Sequence, residues 1–362
     1  MGTITGMVTT YNVAENKIDV SPVLSMLKLP NTPLLDAIGI SNEAVESTRY
    51  EWWDDVLPVL KVQLAAGYTA GGGSLTVESG AGKKFKVGNV IKVEDSIYRI
   101  TAINGDVLSI AIVANDANHS AGVDVELIGD AQVEGQDYND SNYEQKVKRH
   151  NVTQIFSDYV KFSGSQLAVK QYVNEDVFLS EVQRKLTKLK VLLERSAWLG
   201  VRVDPNDNSV PRMMGGVKYF IDNDGITTTN TWSEDNFRAF LKLIYDNGGN
   251  IVEAWMNAST KQYFNALNSD KLIVTQDERT AGRLVDGYLS EYGQIALRTS
   301  PHIPENMIIV LDPSNLKIKP LSGRAMAYEP LAKTGDSVKG QIVGEYTLEF
   351  RNPDAAGIFY IQ

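Results

Sequence analysis

The sequence predicts an α+β fold interrupted by a small all-β domain, and three observations predict it. The first is a segment in which Tyr346, Leu348 and Phe350 alternate with Glu345, Thr347, Glu349 and Arg351, the period of a half-buried antiparallel strand. The second is a long amphipathic helix over Asn174 to Trp198. The third is a set of five short alternating runs between the Gly-rich Ala70-Gly71-Gly72-Gly73 and the polar Gly135-Gln136-Asp137. With 362 residues and 43% hydrophobic content, the chain can fill two or three domains or sub-domains.

Residues 1–45 read as an extended arm, broken by Pro22, Pro30 and Pro33, with one or two helical turns at most near Asn31 to Ile38. Its apolar residues, Leu27, Leu34 and Leu35 among them, must be buried on the chain's own body or on a neighbour. Thr48 to Asp55 is an aromatic strand carrying Tyr50, Trp52 and Trp53, and its matching candidate is Asn151 to Phe156, with Ile155. Between them lie the runs Leu75 to Glu78, Val90 to Val93, Tyr98 to Ile103, Val107 to Ile110 and Val123 to Ile128. Asn104-Gly105 between two of them is a strong hairpin signal, and together they suggest a small β-barrel inserted into a loop.

In the long helix, Asn174 caps, Glu175 and Asp176 sit in the first turn, and Gly200 stops it. Phe178, Val182, Leu186, Leu189, Leu193 and Ala197 draw one apolar stripe, and Glu181 and Lys185 are spaced to pair at i,i+4. Residues 201–320 read as an α/β sub-domain. It holds a Ser233-capped helix to Asp246 ended by Gly248-Gly249, a strand at Ile251 to Met256 and a helix at Ser259 to Leu267. Strands follow at Ile295 to Arg298 and Met307 to Leu311, and Leu316 to Ile318 begins the return to the terminal sheet. There, a turn at Pro353-Asp354 separates the alternating strand from a last one, Gly357 to Ile361.

The formal charge of −10 argues against a dedicated nucleic-acid binder, which needs a concentrated basic face. Residues 66–136, with five basic against nine acidic side chains, are no DNA clamp either. The absence of cysteine excludes disulfides and thiolate metal sites. No signal peptide and no run of eighteen apolar residues is present, so neither secretion nor a membrane is expected. His119, in a polar loop, His150 and His302 share no metal-binding spacing. Gly80 to Lys84 lacks the spacing and the Ser/Thr of a phosphate loop. Lys333-Thr334-Gly335-Asp336 resembles the phosphorylated loop of cation pumps, but Ala332 stands where the nucleophilic Asp belongs. Asp222-Asn223-Asp224-Gly225 reads as an Asp-Gly turn rather than a calcium loop, because Phe220 occupies the first ligand position. No enzyme and no cofactor is expected.

A series of short segments, in order, resembles the major capsid proteins of tailed double-stranded-DNA bacteriophages with the HK-ninety-seven-like fold. Early ones are Gly2 to Gly6, Leu29 to Gly39, Tyr50-Glu51-Trp52, Asn151 to Phe156 and Glu194 to Gly200. Later ones are Met214 to Val217, Gly248-Gly249, Tyr292 to Ile295, Lys333 to Asp336 and Glu345 to Asn352. The resemblance covers almost the whole chain outside the inserted domain. It implies an N-terminal arm at 1–45, an extended loop at 46–65 and 137–165, and the inserted domain at 66–136, exposed on the capsid exterior. It further implies a peripheral domain with the spine helix at 166–214 and 321–362, and an axial domain at 215–320.

The resemblance also implies partners. The chain would assemble with itself into pentamers and hexamers, with Leu27, Leu34, Leu35, Tyr50, Trp52, Trp53, Ile155 and Phe156 as candidate contacts between subunits. The shell would be made in the host bacterial cytoplasm, enclose double-stranded DNA without reading its sequence, and meet portal, scaffold and decoration proteins. An encapsulin-like cellular compartment on the same fold is the alternative, and a surface-adhesion protein, suggested by the β-rich insertion, a third.

Overall fold

The computed structural model describes residues 32–55, 61–131, 134, 146–169, 177–207, 209–265, 272–275, 284–333 and 335–362. The expectations placed on residues 1–31, on Gly135 to Asp137, on the Asn174 cap with Glu175 and Asp176, on Leu267 and on Thr334 lie outside the described residues.

In chain order, helix α1 (Pro33–Ile38) leads to strand β1 (Arg49–Asp54). Strands β2 (Lys61–Gln63), β3 (Ser74–Thr76), β4 (Asn89–Val93), β5 (Ser96–Asn104), β6 (Val107–Ala114) and β7 (Asp124–Asp130) come next. The chain continues through β8 (Val147–Val152), β9 (Gln154–Ser163), α2 (Gly164–Ala168) and the long helix α3 (Val177–Leu199). Then follow α4 (Val217–Asp224), β10 (Ile226–Asn230), α5 (Glu234–Asp246), β11 (Glu253–Met256), α6 (Ala258–Asn265), β12 (Leu272–Thr275), β13 (Leu284–Ser290) and β14 (Gly293–Thr299). The last elements are β15 (Met307–Leu311), β16 (Leu316–Pro320), β17 (Ala327–Leu331), β18 (Ser337–Phe350) and β19 (Gly357–Ile361). Two units result, one of Trp53–Lys148, the other of Met1–Trp52 with Arg149–Gln362.

The smaller unit is a six-stranded sheet in the order β2-β7-β4-β5-β6-β3. A bridge between Leu64 and Val77 brings its first and last strands together, so the sheet closes into a barrel. Leu75, Val77, Ile91, Val93, Tyr98, Ile100, Leu108 and Val125 fill the interior from alternate positions. The hairpin at Asn104-Gly105 forms as its sequence predicts, with Gly105 at φ +62°. The sheet takes in Lys61–Gln63, which the sequence reading leaves in the extended loop. Three residues with one buried side chain are too short to show a period.

In the larger unit, β18 runs fourteen residues. Strand β9 pairs with Ser337 to Tyr346 of it, β17 with Lys339 to Val343, and β16 with Tyr346 to Phe350. A seven-stranded sheet has the order β10-β19-β15-β11-β14-β13-β12. Helix α3 packs its predicted stripe inward: Val182, Leu189, Leu193 and Ala197 are buried, with Phe178 and Leu186 packed beside them. Trp198 at its end meets Trp255 of β11 with ring centroids 5.3 Å apart. Ser233 caps α5 by accepting the Asn236 N–H at 3.1 Å, and Phe237, Leu241 and Ile244 are buried.

Four further expectations change in the larger unit. The alternating strand and the last strand do not share a sheet: β18 lies in the four-stranded sheet, while β19 lies between β10 and β15 in the seven-stranded one. Asn352, left-handed at φ 46°, and the 3-10 turn Pro353–Ala355 redirect the chain, and Arg149 holds that corner through Asp354 at 2.8 Å. β18 is also not half-buried, since Glu345, Thr347 and Glu349 are buried along with Tyr346, Leu348 and Phe350. Glu181 pairs with Arg184 at 2.8 Å instead of Lys185, because Lys185 reaches Asp158 of β9 at 2.7 Å, where burial strengthens the attraction. Finally, Asp222 to Asp224 form the last turn of α4, with Gly225 as its cap, rather than a free turn.

Candidate assembly surfaces

The eight sequence-predicted contact residues separate by burial. Leu27 lies outside the described residues. Leu34 is wholly buried in the larger unit's own core, and Leu35 packs against it. Their backbone explains why: the Leu34 and Leu35 N–H groups donate to the two carboxylate oxygens of Glu194 on α3, at 3.1 and 3.3 Å. Glu194 is itself buried, and burial pushes its carboxyl above the usual range. The candidate arm is therefore pinned, at this point, to its own subunit's long helix.

Trp52 is also internal, stacked on Tyr50 at 5.9 Å and tilted against Phe220 at 5.8 Å. Phe156 is buried against Tyr346 at 6.5 Å. Tyr50 is half-buried, and its hydroxyl belongs to a polar layer behind β18. Lys319 Nζ reaches Glu349 at 2.8 Å, Glu43 at 2.9 Å and the Tyr50 hydroxyl at 3.0 Å. Arg351 Nε donates to Glu349 at 2.5 Å. Burial acts to raise the Glu349 carboxyl, but the Lys319 and Arg351 hydrogen bonds outweigh it and hold the group below its ordinary range. At the other end of the layer, Glu345 accepts from Thr153 at 2.6 Å and from Arg212 and Arg324 at 2.9 and 3.0 Å. This layer was not legible in the strand's own pattern, because its partners come from segments far away in sequence.

Trp53 and Ile155 face outward, at 59% and 50% exposure. Trp53 sits on β1 with the Lys148 ammonium 5.7 Å from its ring centroid. Ile155 lines a shallow cleft of about 440 Å³ with Pro205, Val210, Pro211 and Arg212. Tyr159 two turns of the pleat along β9, and Val201 after α3, add exposed apolar surface in the same unit.

The histidine expected in a polar loop is buried in the barrel. His119 stacks on Tyr68, and its Nδ1 lies 2.8 Å from Glu94 and its Nε2 3.1 Å from the Tyr98 hydroxyl. Asp116 accepts from the Tyr68 and Tyr98 hydroxyls at 3.0 Å each and from the Gly71 N–H at 2.6 Å. This network ties the Gly-rich segment to the barrel wall. Gly80 to Lys84 becomes a 3-10 turn whose Gly80 and Gly82 N–H groups donate to Asp106 at 2.9 and 3.1 Å, so those donors are spent on the protein itself. Among the described residues, no group of three or more His, Asp or Glu side chains is arranged to hold a metal ion.

The family model described as SU10 major capsid protein matches residues 3–360. No curated protein matches the sequence at a significant level. Among solved structures, the chain is similar to that of the Cyanophage A-1(L) capsid asymmetric unit, with a TM-score of 0.51, 10% identity, and 97% of this chain and 98% of that chain covered. It is similar to the capsid chain of a native GTA particle, with a TM-score of 0.52, 11% identity and 99% of both chains covered. A chain of Microbacterium phage Oxtober96 matches with a TM-score of 0.50, 11% identity, and 97% and 96% covered. These likenesses establish the HK-ninety-seven-like capsid fold.

Proposed function

The chain belongs to the SU10 major capsid protein family, and from that premise we propose how its parts serve the shell. It is a capsid shell protein of the virion. The observation that carries this is the family match over residues 3–360, which leaves almost nothing of the chain for another function. We assign the shell's content as double-stranded phage DNA, held without sequence-specific contacts. A chain of net charge −10 supports this, because it binds packed phosphates weakly and lets them move. Portal, scaffold and decoration proteins are its further partners in this reading, assembly takes place in the host cytoplasm, and the protein catalyses no reaction.

Helix α3 serves as the spine of the peripheral domain, the seven-stranded sheet as the axial domain, and β1 with β8 as the root of the extended loop. Burial divides the candidate contacts by task. Leu34, Trp52 and Phe156 hold the subunit's own core, while Trp53 and the Ile155 cleft are the surfaces we assign to the neighbouring subunit. Exposed apolar side chains of this size favour such a role.

Expression of the chain followed by negative-stain microscopy and sedimentation tests the reading. Closed shells or capsomers are expected, and Ile155→Asp is expected to reduce them without moving the unfolding midpoint of the isolated subunit. Monomers under every condition of concentration, salt and pH refute the shell reading. Wild-type assembly by Ile155→Asp refutes only the contact assignment.

A further inference from the structure

Asparagine precedes glycine at two places, Asn104-Gly105 and Asn247-Gly248. The pairing is chemically reactive, because glycine has no side chain to shield its backbone nitrogen from the asparagine amide carbon, and asparagine is a thermolabile residue. Sequence rates the two sites alike. So does exposure, since all four residues are exposed. Their backbone bonds differ.

At the end of α5, the Asn247 N–H donates to the Leu243 carbonyl at 3.2 Å, Gly248 to Tyr245 at 2.9 Å and Gly249 to Ile244 at 2.9 Å. These bonds close the helix, and Ile244 anchors it in the core. In the barrel, Asn104 is the last residue of β5 and faces Val107 in the final pair of the β5–β6 ladder. A break in register between Ile100 and Ala102 leaves only three pairs beyond it. Gly105 begins the turn at φ +62°, and its N–H donates to no group among the described residues. The Asn104 side-chain amide has no hydrogen bond among them either.

We propose that Asn104 is a site of spontaneous deamidation in the folded protein, and that Asn247 is protected from the same reaction by its helix cap. The Gly105 nitrogen gives up its proton to water and attacks the Asn104 Cγ. A C–N bond forms, the bond from Cγ to the side-chain nitrogen breaks, and ammonia leaves with a proton. Water then opens the cyclic imide. Cleavage on the side-chain carbonyl gives aspartate, and cleavage on the backbone carbonyl gives isoaspartate, whose main chain runs through Cγ. Solvent supplies the only co-reactant. Ring closure needs Asn104 to leave its extended conformation, which opens one terminal ladder pair, whereas at Asn247 the three cap bonds must come apart.

The product matters locally. Residues 66–136 already hold nine acidic against five basic side chains, and the new carboxylate stands two residues from Asp106, whose own carboxylate accepts from Gly80 and Gly82. Isoaspartate also lengthens the backbone beside Gly105, whose carbonyl oxygen packs so closely on Gly82 that a Cβ there would lie 1.9 Å from it. Nothing in this chemistry needs an assembled shell.

Folded wild-type subunits held at mildly alkaline pH, sampled over days by peptide mapping with fragmentation, test the assignment. Asn104 is expected to convert to aspartate and isoaspartate roughly tenfold or more faster than Asn247, because fewer backbone bonds must open. In guanidinium the two sites are expected to convert at similar rates. Asn104→Thr is expected to abolish the mass gain in the tryptic peptide that begins at Ile100. Equal rates at the two sites in the folded chain, or faster conversion of Asn247, overturn the proposal. A difference that persists in guanidinium shows that neighbouring side chains and not the fold separate the sites, and overturns it as well. A mass gain that survives Asn104→Thr assigns the reaction to another asparagine with the same result.

Discussion

Replacing Lys319 by Met tests the polar layer behind β18. The ammonium is the common partner of Glu349, Glu43 and the Tyr50 hydroxyl. Without it the wholly buried Glu349 carboxylate keeps Arg351 at 2.5 Å and the Tyr50 hydroxyl at 3.2 Å. Breaking a buried pair by removing one partner costs about 3–5 kcal/mol. Arg351 offsets part of that, so roughly 2–4 kcal/mol is expected. Adding Glu349→Gln removes the stranded charge and is expected to recover about half of the loss, a coupling of about 1–2 kcal/mol. The assay is urea unfolding of unassembled subunits followed by tryptophan fluorescence, with Trp52 stacked on Tyr50 as the nearest reporter. The single variant is expected to lower the midpoint by roughly 1 M urea. A shift below about 0.3 M, or a double variant no more stable than the single, would show that the layer is not the coupled unit described here.

Three further predictions follow from the same geometry. The Glu349 carboxyl is held below 4.5, so its ionised form stabilises the fold above that pH and the contribution is lost as pH falls through the folded-state value; Asp158, lowered from 3.8 to about 2 first by the Lys185 hydrogen bond, behaves alike. Acid titration monitored by circular dichroism should therefore find stability declining below about pH 4.5, and Asp158→Asn should flatten the part of that decline between 3.8 and about 2. Glu194→Ala strands the Leu34 and Leu35 N–H groups and is expected to cost about 1–3 kcal/mol. Limited proteolysis should then cut near α1, whereas Glu194→Gln, which keeps an acceptor, should protect it. Gly82→Ala sets a methyl 1.9 Å from the Gly105 carbonyl oxygen, so thermal melting should show the barrel destabilised by about 2 kcal/mol or more.

Much of this fold is legible where one element carries its own period. The α3 stripe, the Ser233 cap and the Asn104-Gly105 hairpin are local, and the structure repeats them nearly residue for residue. What escapes is decided at a distance. Glu345 and Glu349 sit at alternating polar positions and look solvated, yet Arg212, Arg324 and Lys319 from other segments bury them. Lys185 has an acceptable helical partner in Glu181 and takes Asp158 across a strand instead. The resemblance offers Trp52, Trp53, Ile155 and Phe156 alike as candidate contacts between subunits, but only packing separates Trp52 and Phe156, which face inward, from Trp53 and Ile155, which face outward.

The parting of β18 and β19 has a consequence for synthesis. Residues 337–350 run between the strands of one sheet, and residues 357–361 fill an interior position in the other, with β10 and β15 on either side. Neither sheet can close until these late residues have left the ribosome. Until then the nascent chain holds two gapped sheets with apolar faces open, a state that invites a chaperone and denies a neighbouring subunit a finished surface to bind. Each sheet thus takes an interior strand from residues 337–361, and a chain made only as far as residue 336 lacks both.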